Sequence, residues 1–130
     1  MTNIRNRLAC MLILLPTLAS CASASTAAHR ALAIGASITL QPGERATLPD
    51  GSTLRYVAMS ADSRCPEKVQ CIWAGDADLL FELAKNDGAP RQFHLHTRAE
   101  PKSFHANGHT IFLDAVTHDP GARATVRLNP

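Results

Sequence analysis

The sequence predicts an all-β fold, a small antiparallel β-sandwich or barrel of about seven or eight strands. Apolar and polar residues alternate in several short segments, and no segment has the apolar spacing of an amphipathic helix. Turn sequences separate the segments at intervals of roughly 8–12 residues. With 130 residues and an apolar fraction of 45%, the chain can build one modest core. We therefore expect a single β domain over residues 33–130.

The first part of this domain predicts one strand and one hairpin. In residues 34–40, isoleucine, alanine and leucine alternate with glycine, serine and threonine, which is typical of a half-buried strand. Residues 44–48 and 53–59 form two further candidate strands. The sequence Pro-Asp-Gly at 49–51 joins them, and its glycine can take the positive φ that a tight turn requires.

A second hairpin is predicted around the sequence Asn-Asp-Gly at 86–88. Before this turn, residues 78–85 carry apolar side chains on both faces, which indicates a strand covered on both sides, although periodicity alone also allows a short helix. After the turn, residues 92–98 alternate, with Phe93 and Leu95 on one face. We therefore expect two antiparallel strands here.

The end of the chain predicts a loop followed by a third hairpin. Residues 99–109 are polar and contain proline and glycine, so we expect them to form a loop. Residues 110–116 and 122–128 then form two candidate strands around the sequence Asp-Pro-Gly at 119–121. In the last strand, alanine, valine and leucine alternate strictly with arginine and threonine.

The N-terminus has the features of an export signal over residues 1–20. Arg5 and Arg7 precede an apolar run at 8–15, which is far shorter than the about 20 residues that a membrane-spanning helix needs. The sequence Leu-Ala-Ser-Cys that follows resembles a bacterial lipobox and predicts lipidation of Cys21. The alternative is ordinary signal cleavage after Ala24, within an Ala-x-Ala site.

Lipidation would fix both the location and one partner of the protein. Residues 21–32 are mostly small and polar, so they predict a lipid-anchored flexible tether, with the membrane as partner through the N-terminal lipid. Ala22 stands where lipoproteins retained in the inner membrane usually carry aspartate. By resemblance to that sorting pattern, we expect a location in the bacterial cell envelope, in the outer membrane facing the periplasm.

The charge of the mature chain is balanced. Removing Arg5 and Arg7 from the 13 basic residues leaves 11, equal to the 11 acidic residues. Without a basic stripe there is no electrostatic basis for binding nucleic acid. We therefore expect no nucleic-acid partner.

The four cysteines are expected to have three different roles. Cys10 leaves with the signal and Cys21 carries lipid, so Cys65 and Cys71 remain as a pair in an oxidising compartment and predict a disulfide. Closing this short loop stabilises the fold by about 2 kcal/mol. The spacing fits neither the Cys-x-x-Cys motif of thiol-disulfide catalysts nor a structural zinc site.

The segment around this pair is the main candidate for binding. Asp62 and Ser63 are expected to bond backbone groups leading into it, and Gly75 to mark a bulge or turn. Ile72 and Trp73 are expected to pack beside the disulfide. Because a rigid loop loses little entropy on contact, its four exposed polar residues are predicted to bind a partner. These are Arg64, Glu67, Lys68 and Gln70.

The motif D-S-R-C-P-x(4)-C-x-W-A-G in this segment is similar to that of a family of small bacterial exported proteins and lipoproteins. The resemblance covers roughly residues 34–130 and includes an element like that formed by Ile111, Leu113 and Val116. No activity is assigned to this family. The resemblance therefore implies export and a similar fold, and it brings no catalytic residues.

Two histidines suggest a second kind of site. His94 and His96 are two residues apart, so on a strand they share a face and could bind copper or zinc, with His105, His109 or His118 as further ligands. The alternative is that both are ordinary polar residues, because Phe93 and Leu95 need the buried face. We expect no cofactor from the remaining residues.

No catalytic motif is present in the sequence. It contains neither G-x-S-x-G nor H-E-x-x-H, and no cysteine remains as a nucleophile. We therefore expect a non-enzymatic, lipid-anchored binding or structural module with an unidentified envelope protein as a possible partner. The alternatives are a metal-binding lipoprotein using His94 and His96, or a protease-inhibitor-like module using the Cys65–Cys71 loop.

Overall fold

The computed structural model describes residues 30–86 and 88–130, which form two β-sheets packed as a sandwich. These residues contain nine strands and no helix, so none of their elements could cross a membrane as a helix. The all-β prediction is confirmed, and the two open sheets select the sandwich over the barrel. The strands are β1 (Arg30–Ala31), β2 (Ser37–Leu40), β3 (Arg45–Thr47), β4 (Ser52–Asp62), β5 (Ala77–Lys85), β6 (Arg91–His96), β7 (Ser103–Ala106), β8 (His109–Val116) and β9 (Ala124–Asn129).

The strand order follows largely from the predicted hairpins. The first sheet has the order β1-β3-β4-β5-β6 and the second the order β2-β9-β8-β7. All neighbours are antiparallel except β1 and β3, which are parallel. The three predicted hairpins are confirmed as β3–β4, β5–β6 and β8–β9. The helical alternative for residues 78–85 is excluded, because β5 pairs on both sides.

Three local features differ from the sequence-based expectation. The loop expected at 99–109 is wrong, because it contains β7, whose Phe104 stacks on Phe93 with the ring centroids 3.8 Å apart. The first strand is shorter than expected, since β2 begins at Ser37 and Ile34 is 48% exposed. Residues 30 and 31, assigned to the tether, pair with β3, and Leu32 after them is only 2% exposed.

The core lies between the sheets and consists of the inward-facing residues of both. A row of aromatic rings crosses it, with Tyr56 stacked on Phe81 and Phe81 on Phe93, at centroid distances of 5.2 and 5.7 Å. The Tyr56 hydroxyl, at the buried end of its ring, donates a hydrogen bond of 2.9 Å to the carbonyl of Ala122. This bond satisfies a buried polar group and joins β4 to the segment before β9.

The two ends of the sandwich carry different connections. At one end, which we call the turn end, short turns such as 48–51 and 107–108 join neighbouring strands. Gly51 there has a φ of 81°, which confirms the predicted turn. At the opposite end, which we call the loop end, the connections are longer and comprise residues 63–76, 97–102 and 117–123. The predicted binding segment therefore lies at the loop end.

Candidate functional site: the disulfide loop

The candidate site is the loop of residues 63–76, which connects β4 to β5 at the loop end. The predicted disulfide between Cys65 and Cys71 is confirmed, with the two Cα atoms 5.8 Å apart. It separates the loop into a base, formed by Ser63, Arg64, Gly75 and Asp76, and a tip at 66–73. The base and the tip differ in burial and in hydrogen bonding.

The two strands of the base are held together by paired backbone and hydroxyl groups. The Ser63 N–H donates to the Asp76 carbonyl at 2.8 Å, and the Asp76 N–H donates to the Ser63 hydroxyl at 3.0 Å. Gly75 has a φ of 65°, and a Cβ there would collide with the backbone carbonyl of Ser63. Only glycine therefore fits this close approach. Gly75 lies outside the turns and strands, so the predicted bulge or turn is not confirmed there.

Arg64 belongs to the base, so the expectation that its side chain is exposed is wrong. Its side chain is 9% exposed, and Nε and Nη2 donate to the two carboxylate oxygens of Asp62 at 2.8 and 2.7 Å. The same guanidinium donates to the carbonyls of Val116 and Thr117 at 2.9 and 3.0 Å. Hydrogen bonding to Arg64 lowers the pKa of Asp62. All this ties the loop to the end of β8 in the other sheet.

Asp62 also makes the predicted turn into the loop. Its Oδ1 accepts a hydrogen bond of 3.0 Å from the N–H of Arg64. This is the Asx arrangement expected for an aspartate two residues before the bonded amide. One carboxylate therefore fixes both the backbone and the side chain of Arg64.

Asp76 fixes the other side of the base to residues 97–102. Its Oδ1 accepts from the N–H of Arg98 at 2.7 Å and from the hydroxyl of Thr97 at 2.9 Å. His96 Nδ1 lies 2.8 Å from Oδ2 of the same carboxylate. Burial alone would raise the pKa of Asp76, but these hydrogen bonds outweigh it and hold the pKa well below its usual range. The sequence analysis did not single out Asp76, which has no local motif.

The tip carries apolar side chains that face solvent. Ile72 is 94% exposed, Trp73 81% and Val69 56%. The expectation that Ile72 and Trp73 pack beside the disulfide is therefore wrong. The Cys65 N–H bonds the Ala74 carbonyl at 3.4 Å, which directs the residues between them away from the sheets. Buried Ala77, three residues after Ala74, starts the part of the chain that enters the core.

The other predicted binding residues lie on the tip as expected. Glu67, Lys68 and Gln70 are exposed, and Lys68 adopts a positive φ of 66°. The Glu67 carboxylate lies 3.9 Å from His118 Nδ1, at the margin of an ion pair. Polar side chains therefore surround the exposed apolar ones on the same short loop.

An open cleft lies beside the base, between the loop and β8. Arg64, Arg98, Val116 and His118 are among its lining residues. The guanidinium of Arg64 is already bonded to Asp62 and to two carbonyls, so it offers no free cation to an anionic ligand. The cleft is a weaker candidate for recognition than the exposed tip.

The predicted metal-binding histidines lie on the outer face of β6, as their alternation with buried Phe93 and Leu95 requires. His94 Nδ1 lies 2.7 Å from the carboxylate of Asp78, and His96 Nδ1 faces Asp76. Across residues 30–86 and 88–130, no group of three or more His, Cys, Asp or Glu side chains is arranged to hold a metal ion. The copper or zinc hypothesis gains no support from this geometry.

The other histidines named as possible ligands belong to separate elements. His105 lies on β7, where its Nδ1 is 2.8 Å from the hydroxyl of Thr110. His109 begins β8 at the turn end, and His118 lies before β9 at the loop end. The signal peptide and Cys21 lie outside the described residues.

No protein-family model matches the chain, and neither a curated protein nor a solved structure matches it. Function is therefore inferred from the residues of the chain itself.

Proposed function

We propose that this protein is a binding module of the bacterial cell envelope, anchored by lipid at Cys21 in the outer membrane and facing the periplasm. Its binding surface is the tip of the disulfide loop. One observation carries this proposal, namely that Ile72 and Trp73 are almost fully exposed on a loop whose base is fixed. Large exposed apolar side chains cost solubility, and a rigid support lowers the entropy that binding must overcome.

The rigidity of the support comes from three independent connections. The disulfide closes the loop, Arg64 bonds it to residues 116 and 117, and Asp76 bonds it to residues 97 and 98. None of these bonds involves the side chains of Val69, Ile72 or Trp73. The apolar side chains are therefore held on a fixed support and remain free to contact a ligand.

The lipid anchor is tested by metabolic labelling with a fatty acid in a bacterial host. The wild-type protein is expected to carry label and to sediment with membranes. The Cys21→Ala variant is expected to lose the label and to be released as a soluble periplasmic protein. Label on the variant, or none on the wild type, would contradict the anchor.

The binding surface is tested by placing a photo-crosslinking phenylalanine analogue at position 73 in the lipidated protein. The matched control carries the analogue at position 34, since Ile34 is also exposed but lies at the turn end. Illumination of intact cells is expected to give adducts with protein or lipid from position 73 and few from position 34. Equal yields from the two positions would refute a binding role for the tip.

A protease-inhibitor-like role is the second candidate, supported by the exposure of Lys68 and Gln70 on a disulfide-closed loop. In this role the tip enters the cleft of a target protease in the envelope. The Cys21→Ala protein would then capture the protease from an envelope extract, and Lys68→Ala would abolish the capture. Capture that Lys68→Ala leaves intact would eliminate the role of Lys68.

A further inference from the structure

We infer that the ligand of the tip is the surface of the membrane that holds the lipid anchor, into which Trp73 and Ile72 insert. The inference rests on the proposed function, because it requires lipidation of Cys21. It adds a second membrane contact, which orients the domain with its loop end toward the bilayer.

The side chains at the tip suit the interfacial region of a bilayer. Tryptophan is enriched there because its ring is apolar while its N–H can bond headgroups or water, and isoleucine adds apolar area. Trp73 and Ile72 are adjacent and are 81% and 94% exposed, so both can enter together. The acyl chains of a lipidated Cys21 would already hold the protein at the surface, and every additional buried apolar group strengthens the attachment.

The direction of β1 is compatible with a membrane contact of the tip. Arg30 pairs with Ala46 on β3, which in turn pairs with Leu54 on β4. Since β1 is parallel to β3 and β4 is antiparallel to it, β1 begins on the side toward which β4 runs. That side is the loop end. The first described strand therefore starts toward the end of the domain that carries the tip.

The length of the anchor segment limits how the domain can stand on the membrane. From Leu54, level with Arg30, β4 continues eight residues to Asp62, a distance of about 26 Å. The tip lies beyond Asp62, whereas the nine peptide steps from Cys21 to Arg30 can span at most about 30 Å. The domain must therefore tilt for the tip to reach the bilayer. The anchor also keeps the tip at a high effective concentration relative to that surface.

The charge of the loop favours insertion driven by apolar contact. Residues 63–76 contain two basic residues, Arg64 and Lys68, and two acidic residues, Glu67 and Asp76. This balance gives no attraction to anionic lipid headgroups. Docking should therefore depend only weakly on ionic strength, unlike docking through a basic patch.

The test uses the intrinsic fluorescence of the protein, because Trp73 is the single tryptophan of the sequence. The full lipidated protein is reconstituted into phosphatidylethanolamine/phosphatidylglycerol vesicles and compared with the unlipidated Cys21→Ala protein in buffer. We expect emission at shorter wavelength in vesicles. We also expect stronger quenching by lipids brominated near the glycerol end of the chains than by lipids brominated near the methyl end.

Two matched variants of the lipidated protein test whether the tip itself docks. Ile72→Ser removes apolar area next to Trp73 and is expected to lower the ratio of quenched to unquenched Trp73 about tenfold. Ile34→Ser makes the same chemical change at an exposed site of the turn end and is expected to leave the ratio unchanged. Equal effects of the two variants would overturn the inference.

The outcomes also separate this inference from the proposed function. Absence of fatty-acid label on the wild-type protein would refute the anchor and, with it, the membrane docking. A labelled protein whose Trp73 is not quenched by any brominated lipid would overturn the docking alone. If position 73 then crosslinked to a protein in cells, the ligand would be that protein, and the binding module would stand without membrane docking.

Discussion

The base and the tip of the fourteen-residue loop place their side chains in opposite environments. In the base, Arg64 and Asp76 direct nearly every polar group to a partner, and Gly75 packs directly against the backbone of Ser63. In the tip, Ile72 and Trp73 leave almost all of their apolar surface in water. Polar residues, which usually face solvent, therefore hold the base together, while apolar residues, which usually form the core, are exposed to solvent at the tip.

This inversion separates the residues that set stability from those available to a ligand. Changes in the base should lower the free energy of unfolding and should affect binding only through it. Changes in the tip should leave the free energy of unfolding unchanged and should affect binding directly. Chemical denaturation of the Cys21→Ala protein, which we expect to be soluble, measures the first quantity for each variant.

The largest loss of stability is expected from Gly75→Ala. The new Cβ would collide with the Ser63 carbonyl, and alanine is strained at a φ of 65°. Together these effects should lower the free energy of unfolding by on the order of 3 kcal/mol. The matched control is Gly51→Ala, because Gly51 has a φ of 81° but no heavy atom within 4 Å of the added Cβ. The control should lose only about 1–2 kcal/mol, and equal losses would show that the base tolerates the Cβ.

The next largest loss is expected from Arg64→Met, which keeps most of the side-chain volume but removes the guanidinium. The carbonyls of Val116 and Thr117 lose their donor, and Asp62 loses its ion pair. Hydrogen bonds to charged groups make a net contribution of about 1.5–3 kcal/mol each, and water can replace part of the lost donor in the variant, so we expect a loss of about 2 kcal/mol.

The control for this variant is Arg123→Met, which breaks the more exposed ion pair with Asp119. Surface pairs of this kind contribute little to stability, so the control should lose clearly less than Arg64→Met. If the two variants unfolded at the same denaturant concentration, Arg64 would not be connecting the sheets.

A smaller and pH-dependent loss is expected from Asp76→Asn. The amide keeps the shape of the side chain but loses the charge that strengthens its bonds from Thr97 and Arg98, at a cost of about 1–2 kcal/mol at pH 7. Because the folded protein lowers the pKa of Asp76, its carboxylate stabilises the fold above the unfolded pKa of about 3.9. That contribution is lost as the pH falls further.

The difference in unfolding free energy between wild type and Asp76→Asn should therefore be constant above about pH 5 and shrink below about pH 4. Urea denaturation at a series of pH values measures it. The stability of the variant still falls in acid, since the pKa values of Asp50 and Asp62 are also lowered in the folded protein. A difference that stayed the same down to pH 2 would contradict the role of the Asp76 charge.

The fold was largely predictable because most strands and turns are determined by residues that are close together in the sequence. Alternation in β9 and the turn at Gly51 identify strands and hairpins without knowledge of the rest of the chain. β7 was missed because its four residues include one large apolar side chain, Phe104, which gives no alternating pattern. Its position depends on stacking against Phe93 and pairing with β8, which are distant in sequence.

The site was less predictable, because the fates of its residues depend on distant partners. Arg64 is buried only because the carbonyls of Val116 and Thr117 receive it, about fifty positions away in the sequence. Trp73 was expected to pack beside the disulfide, as large aromatic side chains are usually buried at least in part. Its exposure follows from the bonds of the base, which direct the tip outward before β5 begins.

The smallest effect on stability is expected from Trp73→Ser, although this removes the largest side chain of the loop. Since the ring is 81% exposed, its truncation removes few contacts within the domain, and the free energy of unfolding should change by no more than about 0.5 kcal/mol. Phe81→Ala provides the contrast, because Phe81 is fully buried and its loss should cost about 3–5 kcal/mol. Denaturation of both variants measures the difference directly. A loss above about 1 kcal/mol for Trp73→Ser would mean that the ring packs on the domain, and the tip would then belong to the construction of the fold, as the base does.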